Sequence, residues 1–365
     1  MSELAELAAR LVAIDSVNPD LVPGAAGEAE IGRFVAGWFE EAGLEVDVLE
    51  GRPGRPSVVG LARGSGAGRT LMLNGHLDTV SLETMERPLE PRVEGGRLYG
   101  RGAYDMKGSL AALMLAGRAA ARLSLRGNVL VAAVADEEAG SIGTEEVLGR
   151  YRADAAIVAE PTALQVGVAH KGFVGFEIET MGRAAHGSRP DLGIDAIARM
   201  GPIIVALEEL DRSLRANHSH PLLGSGSLHT SFISGGQEFS SYPERCLLQG
   251  ERRTIPGEGV AAVQGELQSL LRGRHAGLRT TLARGPFETA SDGPFVALVR
   301  RLAGDAPLSG QPFWADSALL AAAGIPTGLF GPGGDGAHAA VEWVELGDLE
   351  RCLEVYLGVA GEFCA

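Results

Sequence analysis

The sequence predicts an α/β fold: a mostly parallel sheet flanked by helices, with a smaller α+β domain inserted into it. Strand-like and helix-like runs alternate up to about residue 160, which is typical of a parallel sheet covered by helices. Within the predicted strand 128–135, the run 129–135 is apolar throughout, as expected for a strand buried on both faces. Metal-ligating residue types follow such strands in both the first and the last part of the chain. The middle of the chain is therefore predicted to be an insertion.

Each predicted element rests on its hydrophobic pattern and its flanking residues. An amphipathic helix begins near Ser2, and an Ala- and Leu-rich helix covers about 108–123. The strands predicted in the first part are 44–50, 57–62, 70–74, 128–135 and 155–159. The middle part, about 170–285, shows two strands, a helix, two strands and a helix, with the helices near 195–211 and 260–271.

The last part of the chain returns to α/β character after Pro286 and ends in an amphipathic helix at about 344–361. Metal-ligating residue types occur in both the first and the last part, His338 among them, so these two parts are predicted to form one domain. The predicted boundaries are 1–169 and 287–365 for this domain and 170–286 for the inserted domain.

Composition excludes several classes of partner. The 365 residues include 47 acidic and 32 basic side chains, a net charge of −15, without a basic cluster, which argues against nucleic acid. An apolar run long enough to cross a membrane and a leader-type apolar segment are both absent, so we expect a cytoplasmic protein with no membrane partner. Three widely spaced cysteines without a C-x-x-C indicate reduced thiols.

His76 and Asp78 follow the predicted strand 70–74, where open α/β sheets place their ligand sites. In an extended chain the two side chains point the same way, so Asp78 can accept the free ring N–H of His76 and fix its tautomer. The alternative is a loop histidine that is hydrogen-bonded to a neighbour. A single H-x-D is weak evidence for a metal site.

Asp105 precedes the helix at 108–123, so it could be no more than the N-cap of that helix. Gly100 and Gly102 argue for a further role, because glycines let the backbone turn sharply. Such a turn could bring the Asp105 carboxylate into a crowded centre, where one Asp can bridge two cations.

Three consecutive acids, Asp136, Glu137 and Glu138, follow the buried strand 128–135. A solvated acidic turn is the alternative, but a strand buried on both faces places these acids at the edge of the sheet. Adjacent residues aim differently, so one Glu can bind a metal while the other faces a substrate. Glu160 ends the next buried strand in the same way.

His338 lies in the Gly-rich loop 331–338, which we expect to bring it and backbone N–H groups, such as that of Gly333, close to a substrate. The loop has no phosphate-binding signature, which excludes nucleotide binding. Imidazole and carboxylate ligands suit zinc, cobalt or manganese. The ligand types that could hold two divalent cations are, in order, His76, Asp105, Glu138, Glu160 and His338.

The chain resembles the co-catalytic zinc amidohydrolases that include acetylornithine deacetylase, succinyl-diaminopimelate desuccinylase, aminoacylase-1 and carboxypeptidase G. The motifs span nearly the whole chain in the family's order. They are G-H-L-D-T-V at 75–80, G-R-G-A-Y-D-M-K-G at 100–108, D-E-E at 136–138, A-E-P-T at 159–162, A-A-H-G-S at 184–188, E-R-R-T-I-P-G-E at 251–258 and G-P-G-x-x-x-x-H at 331–338. The resemblance implies a zinc-exopeptidase-like fold whose inserted domain is a lid that also forms a homodimer.

The resemblance also implies a role for each candidate residue. One metal would be held by His76, Asp105 and Glu160. The second would be held by Asp105, Glu138 and His338, with Asp105 bridging. Glu137 would be the general base, and Asp78 would support His76.

His186, in the inserted domain, matches a histidine that relatives carry across the dimer as an oxyanion donor; without the resemblance it is an ordinary loop histidine. Arg253 resembles the arginine that grips a substrate carboxylate, although only strand alternation favours it over Arg252, and a surface arginine is the alternative. Ser240 stands where relatives often have Asn, which implies a different acyl or side-chain pocket.

The function that the resemblance implies is removal of the acyl group from an N-acyl amino acid, as in acetylornithine deacetylase or succinyl-diaminopimelate desuccinylase. Two zinc ions are expected, with cobalt or manganese as alternatives. A dipeptidase or carboxypeptidase of the same family is the closest alternative function, because dipeptides also present an amide bond. A non-catalytic binding protein on this fold is a further alternative. An enzyme of this family should retain every metal ligand and Glu137, as this chain does, whereas a non-catalytic member should have lost at least one of them.

Overall fold

The computed structural model describes residues 2–66, 68–217 and 219–365 and divides into two compact units. The first unit comprises Met1–Val168, Thr289–Ser309 and Ala315–Ala365, and the second comprises Ala169–Glu288 and Gly310–Trp314. The predicted domain boundaries, at 169/170 and 286/287, remain predictions about independent folding.

The described residues form helices and strands in alternation along most of the chain. The helices are α1 (Glu3–Val12), α2 (Ala29–Glu41), α3 (Gly108–Ala120), α4 (Ile142–Arg150), α5 (Ala196–Ala216), α6 (Val260–Leu270), α7 (Pro294–Leu302), α8 (Ser317–Ala322) and α9 (Leu346–Phe363). The strands of the first half are β1 (Glu45–Leu49), β2 (Ser57–Ala62), β3 (Leu71–His76), β4 (Arg92–Glu94), β5 (Arg97–Tyr99), β6 (Val129–Val134), β7 (Ala155–Val158) and β8 (Val166–His170). Those that follow are β9 (Gly172–Met181), β10 (Ser227–Gly235), β11 (Arg245–Thr254), β12 (Ala276–Arg284), β13 (Phe287–Glu288), β14 (Leu308–Gln311), β15 (Thr327–Leu329), β16 (Gly334–Asp335) and β17 (Trp343–Glu345).

The central sheet of the first unit has the strand order β1-β2-β6-β3-β7-β15-β8. Strands β6, β3, β7 and β15 are mutually parallel, whereas β1, β2 and β8 pair antiparallel with their neighbours. Every residue of β3, β6 and β7 is buried, because helices cover both faces of a parallel sheet. The carboxyl ends of these strands meet at one edge, so the segments that follow them lie close together.

Helices α1, α3 and α9 pack on this sheet around one continuous apolar core. The Ala- and Leu-rich pattern of α3 buries almost the whole helix, from Gly108 to Gly117. A small antiparallel sheet, β16-β17-β5-β4, joins the Gly-rich loop near the C-terminus to the segment that precedes α3. Among the described residues, no helix is both long and apolar enough to cross a membrane.

The second unit is an antiparallel sheet of order β10-β11-β9-β12, with α5 and α6 packed against it. Strand β9 alternates buried and half-buried residues, as predicted, and places Val174, Phe176 and Ile178 in the core of this unit. The sequence pattern missed the last strand, β12, because its residues alternate between exposed and half-buried positions without a continuous apolar face.

Candidate metal centre

The candidate ligands lie at the carboxyl edge of the central sheet, where two residues have left-handed backbone. His76 ends β3, and Glu160 follows β7 closely. Asp136, just after β6, has a φ of 68°, and His338 has a φ of 62°. Left-handed backbone is uncommon for non-glycine residues and recurs at functional sites, where the surrounding structure imposes it.

Asp105 lies in a single π-type turn, Ala103–Lys107, that precedes α3. The residue that caps α3 is Lys107, so the alternative role of Asp105 as N-cap is wrong. Gly102 makes this turn possible, because its φ is 77° and a Cβ there would lie 2.8 Å from the Cγ2 of Thr79. The turn points the Asp105 carboxylate at the strand ends.

The candidate ligands form one cluster in the first unit. The Nε2 of His76 lies 3.1 Å from Asp105 Oδ1 and 3.7 Å from Glu160 Oε1. The Nε2 of His338 lies 3.4 Å from Asp105 Oδ2 and 3.0 Å from Glu138 Oε2. Asp105 thus faces both imidazoles, one with each carboxylate oxygen, which is the arrangement that a bridging ligand requires.

Burial sets the protonation of the acids in this cluster. It raises the pKa of Glu138 to about 7, and the nearby charge of Asp105 adds to the effect. Burial also raises the pKa of Glu137 and of Glu160 well above the ordinary value, with the charge of Glu160 contributing to the shift at Glu137. Closely packed carboxylates out of water resist ionisation, and a nearby positive charge would relieve that repulsion.

The imidazoles and Asp105 stabilise one another's charged forms. Burial opposes ionisation of Asp105, but hydrogen bonds with His338 and His76 outweigh it and hold the pKa of Asp105 below its ordinary value. Hydrogen bonds with Asp105 and Glu138 raise the pKa of His338 to about 10.

The donor set fits divalent cations. Ligand atoms of His76, Asp105 and Glu138 lie within 4.8 Å of one another, and so do ligand atoms of His76, Glu137 and Glu160. Among the described residues, the buried Oε1 of Glu138 has no hydrogen-bond partner. A buried carboxylate oxygen without a partner is costly unless a ligand satisfies it, and imidazole and carboxylate suit zinc-type ions.

The predicted bond between the Asp78 carboxylate and the His76 ring is wrong in detail. The Nδ1 of His76 lies 3.0 Å from the main-chain carbonyl oxygen of Asp78 and 3.6 Å from its Oδ1. A carbonyl partner requires a proton on Nδ1, which leaves the Nε2 lone pair free for a metal. The Asp78 carboxylate instead accepts bonds of 3.1 Å from the N–H groups of both Glu137 and Glu138.

A buried polar network behind Asp78 was missed by the sequence analysis. Asn18 donates from Nδ2 to Asp78 Oδ2 at 2.7 Å and to Asp136 Oδ1 at 3.0 Å. Arg55 donates to Asp136 at 2.8 Å and to Glu28 at 2.7 Å. No local pattern marks Asn18, Glu28 or Arg55, because each bond joins segments that are distant in the sequence.

Asp316 occupies the N-cap position of α8. The structure shows no side-chain capping bond at the start of α8. Instead, Asp316 Oδ2 accepts a 2.6 Å bond from Thr144 Oγ1, which itself accepts a bond from Asn74. Burial raises the pKa of Asp316 to about 6.

Gly333 lies in the first unit with both of its main-chain groups occupied. Its N–H donates to Asp348 Oδ2 at 2.8 Å, and its carbonyl accepts from the N–H of Glu345 at 3.0 Å. The predicted donation from this N–H to a substrate therefore does not fit the structure. A substrate role for Gly333 would depend only on the close approach that a residue without a side chain allows.

His186 and Arg253 lie in the second unit. His186 is exposed, and its Nδ1 lies 2.8 Å from Ser188 Oγ. Arg252 is buried and pairs with Glu258 and Glu266, whereas Arg253 is partly exposed and pairs with Glu251. The alternation that favoured Arg253 is thus present in the structure. Ser240 is exposed, and its carbonyl accepts from the N–H of Gly187.

A protein-family model described as Peptidase family M20/M25/M40 matches residues 72–362. This chain belongs to that family. It is 31% identical to an acetylornithine deacetylase from Myxococcus xanthus over 378 residues, which cover 97% of this chain and 96% of the relative. It is 28% identical over 407 residues to N-formyl-4-amino-5-aminomethyl-2-methylpyrimidine deformylase from Halalkalibacterium halodurans, covering 99% of this chain and 94% of the relative.

Solved structures share the fold of this M20 chain. A metallo-carboxypeptidase of the M20 family from Sulfolobus solfataricus matches with a TM-score of 0.82 at 18% identity, covering 100% of this chain and 99% of that one. A dinuclear metal binding peptidase of the M20 family from Bacillus subtilis matches with a TM-score of 0.71 at 18% identity, covering 98% and 96%. The predicted α/β fold class is confirmed.

Family membership confirms the resemblance found in the sequence. The chain is a hydrolase that acts on amide bonds and belongs to a metal-dependent family. The alternative of a non-catalytic binding protein is therefore wrong. The substrate, the identity of the metal and the roles of individual residues stay predictions.

Replacing Asp105 tests the cluster directly. Because Asp105 faces both imidazoles, Asp105→Asn should lower bound zinc from about two ions per chain to fewer than one. Metal analysis of the zinc-loaded, desalted protein gives the answer. Asp335→Asn, an exposed acid in the same loop as His338, is the control and should bind like the wild type. Full metal content in Asp105→Asn would contradict the bridging role.

Proposed function

We propose that this protein removes the acyl group from N-acyl amino acids by hydrolysis at a centre of two zinc ions. The observation that carries the proposal is the cluster itself, in which Asp105 lies between two imidazoles and Glu137 stands beside the predicted ligand Glu138. The acetylornithine deacetylase and the deformylase among the relatives support an acyl substrate. A dipeptide substrate would use the same amide chemistry, so the experiment must distinguish hydrolysis of dipeptides from hydrolysis of N-acyl amino acids.

In this proposal one cation would be held by His76, Asp105 and Glu160 and the other by Asp105, Glu138 and His338. When bound, two divalent cations supply the Lewis acidity that makes a nearby water nucleophilic at neutral pH and polarises the amide carbonyl. Cobalt or manganese would satisfy the same ligands.

Glu137 is the proposed general base. It accepts a proton from the attacking water as the water oxygen forms a bond to the amide carbon. It then donates that proton to the nitrogen as the C–N bond breaks, which releases the free amine and the carboxylic acid. The raised pKa of Glu137 favours a group that can both take and return a proton. Its main-chain N–H, held by Asp78, fixes where the segment lies.

Arg253 is the proposed ligand of the substrate carboxylate, since a guanidinium forms paired hydrogen bonds with a carboxylate. Its partial exposure favours this role over the buried Arg252. His186 is the proposed oxyanion donor. Its Nδ1 accepts a bond from the Ser188 N–H at 3.2 Å, so the neutral ring carries its proton on Nε2 and can donate it.

A homodimer is the proposed assembly. Strand β10 is an edge strand, and its side chains from His229 to Gly235 are exposed, including Phe232 at 51% and Ile233 at 50%. An exposed apolar edge is a template for pairing with another strand, and antiparallel pairing with a second copy would be symmetric.

The function is tested by measuring amine release from N-acetyl, N-formyl and N-succinyl amino acids and from simple dipeptides, with zinc or cobalt restored to chelated protein. Glu137→Gln should reduce turnover at least about 10²-fold, because it removes the base, but keep the metal content of the wild type. Glu83→Gln, at an exposed acid, is the control.

The same variant separates two roles of Glu137, since one of its oxygens lies within ligand distance of His76 and Glu160. Loss of metal in Glu137→Gln would make it a ligand and contradict the proposal. Release from dipeptides alone would favour the peptidase alternative over the deacylase.

His186→Ala should lower kcat by about 10²–10³-fold with a smaller change in KM, as expected for the loss of an oxyanion donor. Mixed with Glu137→Gln, it should recover partial activity if each site takes its His186 from the partner. Ser188→Ala, which keeps the main-chain N–H but removes the hydroxyl, is the milder control. If His186→Ala turned over substrate at nearly the rate of the wild type, His186 would be an ordinary loop histidine and the proposed oxyanion role would be wrong.

Ile233→Lys should convert the dimer to a monomer, because it places a charge on the exposed apolar strand β10. Sedimentation velocity measures the mass in solution. Leu282→Lys is the matched control, since it puts the same charge on a partly exposed position of the opposite edge strand, β12. A dimer that survives Ile233→Lys but not Leu282→Lys would move the interface to β12.

A further inference from the structure

We infer that Arg101 and Glu342 are a buried pair of positioning residues that hold three ligand-bearing segments in place for the metal centre. The inference rests on the metal centre proposed above and goes beyond it, because neither residue is a ligand or a proton carrier. Each side chain is about 1% exposed, and both lie in the first unit. The pair joins positions 241 residues apart through a 2.7 Å bond from Arg101 Nη1 to Glu342 Oε2.

The other oxygen of Glu342 holds the turn that carries Asp105. Glu342 Oε1 accepts from the N–H of Tyr104 at 3.0 Å and from the N–H of Asp105 at 3.1 Å. These N–H groups stand at the start of the turn Ala103–Lys107, where no earlier helical carbonyl is available to accept from them. Glu342 therefore supplies the acceptor that fixes the position of the Asp105 main chain.

The remaining donors of Arg101 reach two further segments. Its Nε donates to the carbonyl of Ser81 at 3.1 Å, in the loop that follows His76. Its Nη2 donates to the carbonyl of Ala339 at 3.0 Å, in the residue after His338. One planar guanidinium thus contacts the main chain next to His338 and in the loop that follows His76, while its partner holds the turn of Asp105.

The small antiparallel sheet aligns the two sides of this pair. Leu98 pairs with Val344 and Tyr99 with Trp343, and the Gly100 N–H donates to the Glu342 carbonyl at 3.2 Å just beyond the strands. The Arg101–Glu342 pair links the same two segments just beyond the strands, on the side of the candidate ligands. A guanidinium donates in fixed directions, so a lysine could not make the same set of bonds.

Stability alone does not account for the pair. A buried ion pair is often replaceable by apolar side chains with little loss of stability, whereas removal of one partner leaves an unpaired charge. An apolar pair at these positions would therefore keep the fold but lose the bonds to the ligand segments. Residues that orient metal ligands typically change metal affinity about 10–100-fold when they are replaced.

The test compares two double variants that both lack the ion pair. Arg101→Met with Glu342→Leu has no acceptor for the Asp105 turn, whereas Arg101→Met with Glu342→Gln keeps an oxygen there. Zinc-loaded full-length protein is equilibrated with a graded chelator. The Leu variant should lose zinc at a chelator concentration about 10–100-fold below that of the wild type. The Gln variant should lose zinc at a chelator concentration about tenfold above that of the Leu variant. The kcat of the Leu variant should fall with little change in KM.

Arg97→Met with Glu345→Leu is the matched control, since this ion pair links the same two strands but is 40% and 35% exposed. It should retain the zinc affinity of the wild type. Equal zinc affinity in the two Arg101 double variants, or an equal loss in the control, would overturn the inference. If the Leu variant does not fold, Arg101→Lys should still lose about tenfold in affinity, and wild-type affinity there would overturn it. Failure of the wild type to bind zinc would instead overturn the metal centre itself.

Discussion

Mutual repulsion among buried carboxylates is the constraint on which the rest of this structure depends. Acids that follow three parallel strands meet at one edge of the central sheet, together with Asp105 from a neighbouring turn. An uncompensated charge in the interior costs several kcal/mol or more. Burial raises the pKa values of Glu137, Glu138 and Glu160, and the charges of neighbouring carboxylates add to these shifts. A metal-dependent family has a reason to keep such a cluster, because cations offset the repulsion.

The protein compensates some carboxylates fully and leaves others open. Asp78 accepts hydrogen bonds from Asn18 and from two main-chain N–H groups. Burial opposes ionisation of Asp78, but His76 and these hydrogen bonds hold its pKa below the ordinary value. Glu138 retains a buried oxygen without a described partner. Saturated groups such as Asp78 and Glu342 form a rigid frame, and the open groups face the space between the imidazoles. Preorganised ligands of this kind do not have to be rearranged when a cation binds.

The sequence predicted the elements of the sheet well because continuous apolar runs identify strands buried on both faces, as at β3 and β6. It predicted the candidate ligands because each follows such a strand or a glycine-rich turn. It was wrong about the partner of the His76 ring, since extended-chain geometry gives the side of a strand but not a distance of 3.6 Å. It did not predict the bond between Asp316 and Thr144, which lie 172 residues apart.

The contacts that orient the candidate ligands could not be predicted from the sequence for a related reason. Asn18 and Asp136 are 118 residues apart, and Arg101 and Glu342 are 241 apart. Arg101 lies inside a motif that carried the family resemblance, yet no residue near it in the sequence indicates that Glu342 is its partner. Periodicity and turn chemistry describe local structure, whereas these bonds depend on how distant segments pack.

The wide spacing of the ligands along the chain has a consequence for biosynthesis. Glu160 precedes the whole second unit, and His338 follows it. Chains fold from the N-terminus as they emerge, and contacts between distant residues form late. A nascent chain would therefore carry most of the acidic cluster through synthesis of the second unit, before the last imidazole arrives. The proposed metal centre can become complete only after the second unit has been synthesised, so a chain that stops before His338 would lack one of the predicted ligands.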